Sequence, residues 1–132
     1  MEEELENTEV TTPATIPVSE KSILEDIKKL VGVSTEDLSF DNDIIIHINS
    51  AFMILNQLGV GPITGFSISD SSKKWKDYIA EADNLEAVKT YIYLKVKIIF
   101  DPPLSSTVME ALKQTISELE WRLNVNAESK GG

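Results

Sequence analysis

Cysteine is absent from this chain, and histidine occurs once, at His47. The first absence excludes disulfides and thiolate metal sites. The second rules out a multi-histidine metal centre and leaves His47 as the one imidazole for any catalytic arrangement. Arginine is nearly absent too, with Arg122 the single copy. Arginine is the usual reader of bases and phosphates, and at a formal net charge of −10 the chain is poorly suited to gripping a nucleic-acid backbone. No apolar run approaches the roughly 20 residues of a membrane-spanning helix. The first residues carry glutamates where a signal peptide carries lysines, so the expectation is a soluble, cytoplasmically made product.

What is present fits one globular domain: 132 residues, 42% hydrophobic and 26% charged. The acid is unevenly spread. Glu2, Glu3, Glu4, Glu6, Glu9 and Glu20 all precede the first lysine, Lys21. Residues 1–18 mix acid, threonine and proline without periodicity and read as an extended acidic arm. Residues 19–124 read as a helical domain, and residues 125–132 as a polar C-terminal tail.

The domain predicts an all-α fold, a compact bundle of four to five helices. In "SEKSILEDIKKLVG", Ile23, Leu24, Ile27, Leu30 and Val31 form one apolar face, with Ser19 or Ser22 as cap and Gly32 as stop. "FDNDIIIHINSAFMILNQLG" predicts a second helix capped by Asp41, with Phe40 and Ile45 as a hydrophobic staple. It is apolar most of the way round, which marks a central helix or one covered by a partner. "GVGPITGFSISDSSKK" is a long loop, and "SKKWKDYI" a short helix. The segment from Asp83 to Phe100 is ambiguous. Its alternation at 91–98 reads as a strand, whereas Leu85, Val88, Ile92, Val96 and Ile99 make a helical stripe. Helix is preferred, because no second strand is evident. After Phe100, Asp101 caps a last helix with Pro102 in its first turn and Pro103 stiffening it, which makes a rigid corner. Met109, Leu112, Ile116, Leu119 and Leu123 then mark one face, with Trp121 and Val125 beside it.

Candidate chemistry is sparse. His47 with Asp43 at i−4 is the nearest approach to an acid–base pair, against the plainer reading of a half-buried helical histidine. Asp41 with Asp43, and Asp70 with Asp77, are simplest as caps and first-turn charges. Asn49, Asn56 and Gln57 on an apolar helix mean either a solvated stripe or hydrogen bonds across a subunit interface. Lys73, Lys74 and Lys76 around Trp75 read as a solvated face or as partners for neighbouring acids. Trp121 beside Arg122 has the make-up of an interface anchor, with packing under the loop as the alternative. No catalytic, metal or cofactor site is expected. A small regulator that binds a partner through its last helix satisfies the same features.

The stretches "ILEDIKKLVGV", "SFDNDIIIHINSAFMILNQLGVGP" and "FDPPLSSTVMEALKQTISELEWRLN" resemble the small head–tail connector, or adaptor, proteins of long-tailed bacteriophages. The likeness runs from about Ile23 to Asn126 and includes "HINSAF", "QLGVGP", "FDPP" and "ELEWRL" in order. It does not extend to the acidic arm. It implies a structural protein of the virion neck, a ring of about twelve copies beneath the portal protein. That ring extends the DNA channel without specific DNA binding and docks the next neck, stopper or tail protein. By the same resemblance, Trp121, Arg122, Asn124, Val125 and Asn126 are the portal-facing candidates. Gly61, Pro62, Ile63, Phe66 and Ile68 become a loop facing the lumen or the next component.

Overall fold

A computed structural model describes residues 16–79 and 84–131, with the side chains of residues 130 and 131 excepted. Residues 1–15 of the expected arm, and Asp83 at the start of the ambiguous segment, fall outside the described residues. Those described are all-α. A 3-10 turn at Val18–Glu20 precedes α1 (Ile23–Leu30), α2 (Asp41–Gln57), α3 (Trp75–Tyr78), α4 (Leu85–Phe100) and α5 (Ser106–Gly131). The extended pairing among them is a single isolated antiparallel bridge between Ser22 and Lys74.

α1 forms as its sequence predicts. The Ser22 hydroxyl accepts from the Glu25 N–H at 3.3 Å, and Ile23, Leu24 and Ile27 are buried. It stops where Gly32 takes φ of 86°, letting the Gly32 and Val33 amides donate back to the carbonyls of Lys29 and Lys28. α2 begins differently from expectation. Asp41 is the first helical residue rather than the cap, and Phe40 precedes it without a capping side chain. The Asp41 carboxylate is engaged elsewhere, 2.7 Å from the Lys28 ammonium.

α4 is a helix from Leu85 to Phe100, and the alternation at 91–98 is explained by burial on two sides. It packs against both α2 and α5, with α1 lying across α2 and α4. Val88, Ile92 and Val96 face one way at i, i+4 and i+8, while Tyr91 and Leu94 are covered from another side. A sandwiched helix is apolar at positions that also satisfy a strand's period of two.

The corner after α4 is a true linker. Asp101 ends α4, donating its N–H to the Lys97 carbonyl at 2.9 Å, and it does not cap α5. α5 starts at Ser106, and the Ser105 hydroxyl accepts from the Val108 N–H at 3.2 Å. Pro102 and Pro103 therefore precede the helix. A residue before proline is pushed out of the helical region, so Pro103 prevents Pro102 from opening the first turn, and Ser105 is the better cap. The far end also differs. Residues 125–131 continue α5 and do not form a tail. Leu123 is buried, the Asn124 amide donates to the Leu58 carbonyl at 3.2 Å, and the Ala127 methyl lies against Gly59. These contacts give the segment a surface to fold on, and Ala127, Glu128 and Lys130 favour helix.

Two buried polar knots lock the elements together. Lys28, 1% exposed, donates to the carbonyls of Thr35 at 3.2 Å and Asp37 at 2.8 Å. It also pairs with Asp41, closely but outside hydrogen-bond alignment. It thus ties α1, the 33–40 turn and the start of α2. Asp26 accepts from the Trp75 indole N–H at 3.0 Å and pairs with Lys89 at 3.1 Å, which joins α1, α3 and α4. The buried members, Lys28 and Asp26, each have further hydrogen bonds beside their ion pair, the condition under which a buried charge is tolerated.

Candidate assembly surface

The last helix sorts the predicted portal-facing residues into two groups. Trp121 is 64% exposed and Val125 40% exposed. They stand one turn apart on the side of α5 away from buried Ile116 and Leu123, because Trp121 follows Ile116 by five residues, about 140° round the helix. Arg122 is exposed beside them and is held by Glu118 Oε2, which accepts from its Nε at 3.1 Å and a terminal nitrogen at 2.7 Å. Asn124 turns inward to Leu58, and Asn126 is half-buried. Trp121 and Val125 thus carry the open apolar area of this set.

α2 presents a second such face. Ile46 and Met53 are each 60% exposed and lie two turns apart on one side. Its polar residues have a use that neither sequence reading contained. Asn49 donates to the Ile68 carbonyl at 2.9 Å and accepts the Ile68 N–H at 2.8 Å. Asn56 donates to the carbonyls of Pro62 at 3.1 Å and Ile63 at 3.3 Å. Both asparagines fasten the long loop to the helix, while Gln57 stays exposed.

That loop is accordingly built, with one large apolar side chain turned outward. Ile68 is buried, and Phe66 packs on the rings of Phe52 and Tyr78 at 5.0 and 5.2 Å between centroids. Gly61, at φ of 87°, lies against Tyr78, where an added Cβ would come within 2.5 Å of the ring. The Gly65 N–H closes a turn onto the Pro62 carbonyl. Ile63 stands at the tip, almost wholly exposed. Leu104, beside Pro102 and Pro103 in the α4–α5 corner, is the other fully exposed tip. Near that corner Phe40 meets Phe100 edge to face at 5.4 Å.

The remaining polar candidates have structural partners. Asp70 accepts the Ser72 N–H at 2.8 Å, and hydrogen bonding from Ser72 holds its carboxyl below the usual range. Asp77 accepts the Lys74 N–H at 2.8 Å. Lys74 and Lys76 pair with Glu20, and Lys73 sits over the Phe66 ring. His47 is half-buried, and no hydrogen bond or ion pair joins it to Asp43 among the described residues. Nor does any group of three or more acidic or histidine side chains there converge to hold a metal ion. Tyr91 donates to Glu120 Oε2 at 2.7 Å, bonding α4 to α5. Burial, and then that carboxylate, push its phenol well above the ordinary tyrosine range. Sequence reasoning missed Asp26, Lys28, Lys89 and Glu120. Local periodicity carries no signal for ionic pairs whose members lie far apart in the chain.

A family model described as phage connector protein matches residues 23–130, from the start of α1 almost to the end of α5. No curated protein matches the chain, and no solved structure does.

Proposed function

Because this chain belongs to the phage connector protein family, we propose that it is a head–tail adaptor of the virion neck. About twelve copies form a ring beneath the portal protein, made in the host cytoplasm and incorporated into the particle. The ring prolongs the DNA channel and offers a surface to the next neck, stopper or tail protein. The role is structural, with no catalytic step.

The observation that carries this reading is the pair of unpartnered apolar faces on one protomer. One is Trp121 with Val125 on α5, the other Ile46 with Met53 on α2. A ring of more than two copies needs heterologous contacts, in which each protomer gives one surface and receives on another. A partly exposed tryptophan with an arginine beside it is the usual make-up of an energetic anchor. The α5 face is assigned to the portal side or the neighbouring protomer, and the Ile63 tip to the lumen or the next component. A net charge of −10 suits a conduit, since a wall that neutralised phosphates would retain the DNA.

Mixing the purified protein with portal particles tests the reading. Class averages from negative-stain electron microscopy should gain a ring of density coaxial with the portal. A protein that leaves portal averages unchanged under all mixing conditions would contradict the assignment and favour the helical-regulator alternative.

A further inference from the structure

The exposed sides of α2 and α5 share one pattern. On α2, Asp43, Ile46, Ser50 and Met53 are exposed at spacings of three, four and three. On α5, Glu118, Trp121, Val125 and Glu128 are exposed at the same spacings. Alternation of three and four is the spacing of a seam along which two helices pack side by side, each side chain of one seated among those of the other. Both seams are open in the monomer, on helices that each pack against α4, so neither covers the other within one chain.

The two seams differ in charge. From Leu30 to Ser72 the chain has no lysine or arginine, so α2 and the turns on both sides of it bring no cation. Glu36, Asp37 and Asp43 are exposed there, near Leu38, Phe40 and Ile46. Asp43 makes no ion pair among the described residues. The α5 seam is bordered by the chain's single arginine, Arg122, exposed between Trp121 and Val125. Glu118 takes two of its N–H groups through one carboxylate oxygen. A guanidinium has five, so three remain for an acceptor on another molecule.

We propose, on the basis of the ring described above, that the α5 seam of one copy docks in parallel on the α2 seam of the next. Val125 lies on Ile46, and the Arg122 guanidinium donates to the Asp43 carboxylate, a charge-assisted contact. This register sets the Trp121 indole beside Phe40 and brings Glu128 level with Ser50. The antiparallel alternative with Val125 on Ile46 brings Glu128 toward Asp43 and carries Arg122 away from it. Pairing of either seam with its own kind is isologous and closes at two copies, whereas α5 on α2 leaves every copy with one seam given and one received. The contact therefore repeats around a ring.

Disulfide trapping tests this on the full chain, which has no cysteine of its own. Portal particles are incubated with an equimolar mixture of the Ile46→Cys and Val125→Cys proteins under mild oxidation. The expected product is a disulfide that joins the two variants. A chain carrying both substitutions should give a ladder of covalent oligomers beyond the dimer. Disulfides only between identical variants would mean isologous pairing and overturn the proposal. Rings seen by electron microscopy without any disulfide would overturn this contact and leave the adaptor reading standing. Portal averages that gain no ring would overturn both. Charge reversal gives a second readout. Arg122→Glu should lower ring incorporation by about tenfold or more with an unchanged circular-dichroism melt, and adding Asp43→Arg should restore it. A single variant that assembles like wild type, or a double variant no better than the single one, would also overturn the proposal.

Discussion

The two tryptophans of this chain have opposite surroundings. Trp75 is fully buried at the meeting of α1, α3 and α4, its indole N–H on Asp26. Trp121 is 64% exposed on the outer side of α5 and lacks a hydrogen-bond partner among the described residues. Trp75 sits between lysines that read as a solvated face, while Trp121 sits beside the apolar stripe of a long amphipathic helix. The contrast teaches that sequence neighbours do not decide an aromatic's role. Trp75 is drawn in by Asp26, which is 49 residues away in the chain. Trp121 is left out by a helical offset that places it opposite Ile116 and Leu123. One tryptophan holds the monomer together, and the other is available to something outside it.

Breaking the buried side should have the largest effect. Trp75→Ala removes a packed indole and one of the two partners of the Asp26 carboxylate, leaving it Lys89 alone, with an expected destabilisation of about 3–5 kcal/mol in urea unfolding followed by circular dichroism. Lys28→Met comes next, at about 2–4 kcal/mol. It leaves two carbonyls and Asp41 without their cation, though Asp41, 24% exposed, keeps some water. The same experiment measures it, and hydrogen exchange should accelerate first in the 33–40 turn.

Tyr91→Phe is a smaller break, about 1–2 kcal/mol at neutral pH, because one hydrogen bond to a carboxylate is lost while the ring stays packed. Its pH profile sharpens the comparison. Burial raises the Tyr91 phenol's pKa in the folded state, so the stabilisation is complete below the unfolded tyrosine value of about 10. It is lost as pH climbs above that value, where the unfolded chain ionises and the folded one resists. Wild-type unfolding midpoints should therefore drop between about pH 10 and pH 11.5 more steeply than those of the Tyr91→Phe variant. Equal slopes would show that Tyr91 is solvated.

Much of the fold was legible because its signals are local. Ser22, Gly32 and the apolar stripes of α1 and α5 act within a turn or two of themselves, and the structure places them as their spacing predicts, apart from Leu30, a member of the α1 stripe that is 41% exposed. The ambiguous 91–98 segment was legible only through its longer stripe, since burial between α2 and α5 erases the polar face that separates helix from strand. The start of α5 was misread because Asp-Pro is a good helix opener in isolation, and the second proline changes that. The candidate surface was half legible. Trp121 and Val125 stood out by their offset from the stripe. Asn49 and Asn56 required the loop's position, and the knots around Asp26 and Lys28 required the tertiary fold, because each joins segments with unrelated local patterns.

Trp121→Ala is the variant in which the two tryptophans separate most clearly. A side chain that faces solvent in the monomer contributes little to folding, so its removal should move the unfolding free energy by no more than about 0.5 kcal/mol. As an interface anchor it should nonetheless weaken incorporation into portal-bound rings by about 2 kcal/mol or more, at least about thirtyfold in apparent affinity. Sedimentation of the variant with portal particles, beside its urea melt, gives both numbers from one preparation. A folded monomer that fails to co-sediment is the predicted result. A variant that co-sediments like wild type, or one that unfolds as readily as Trp75→Ala, would contradict the account.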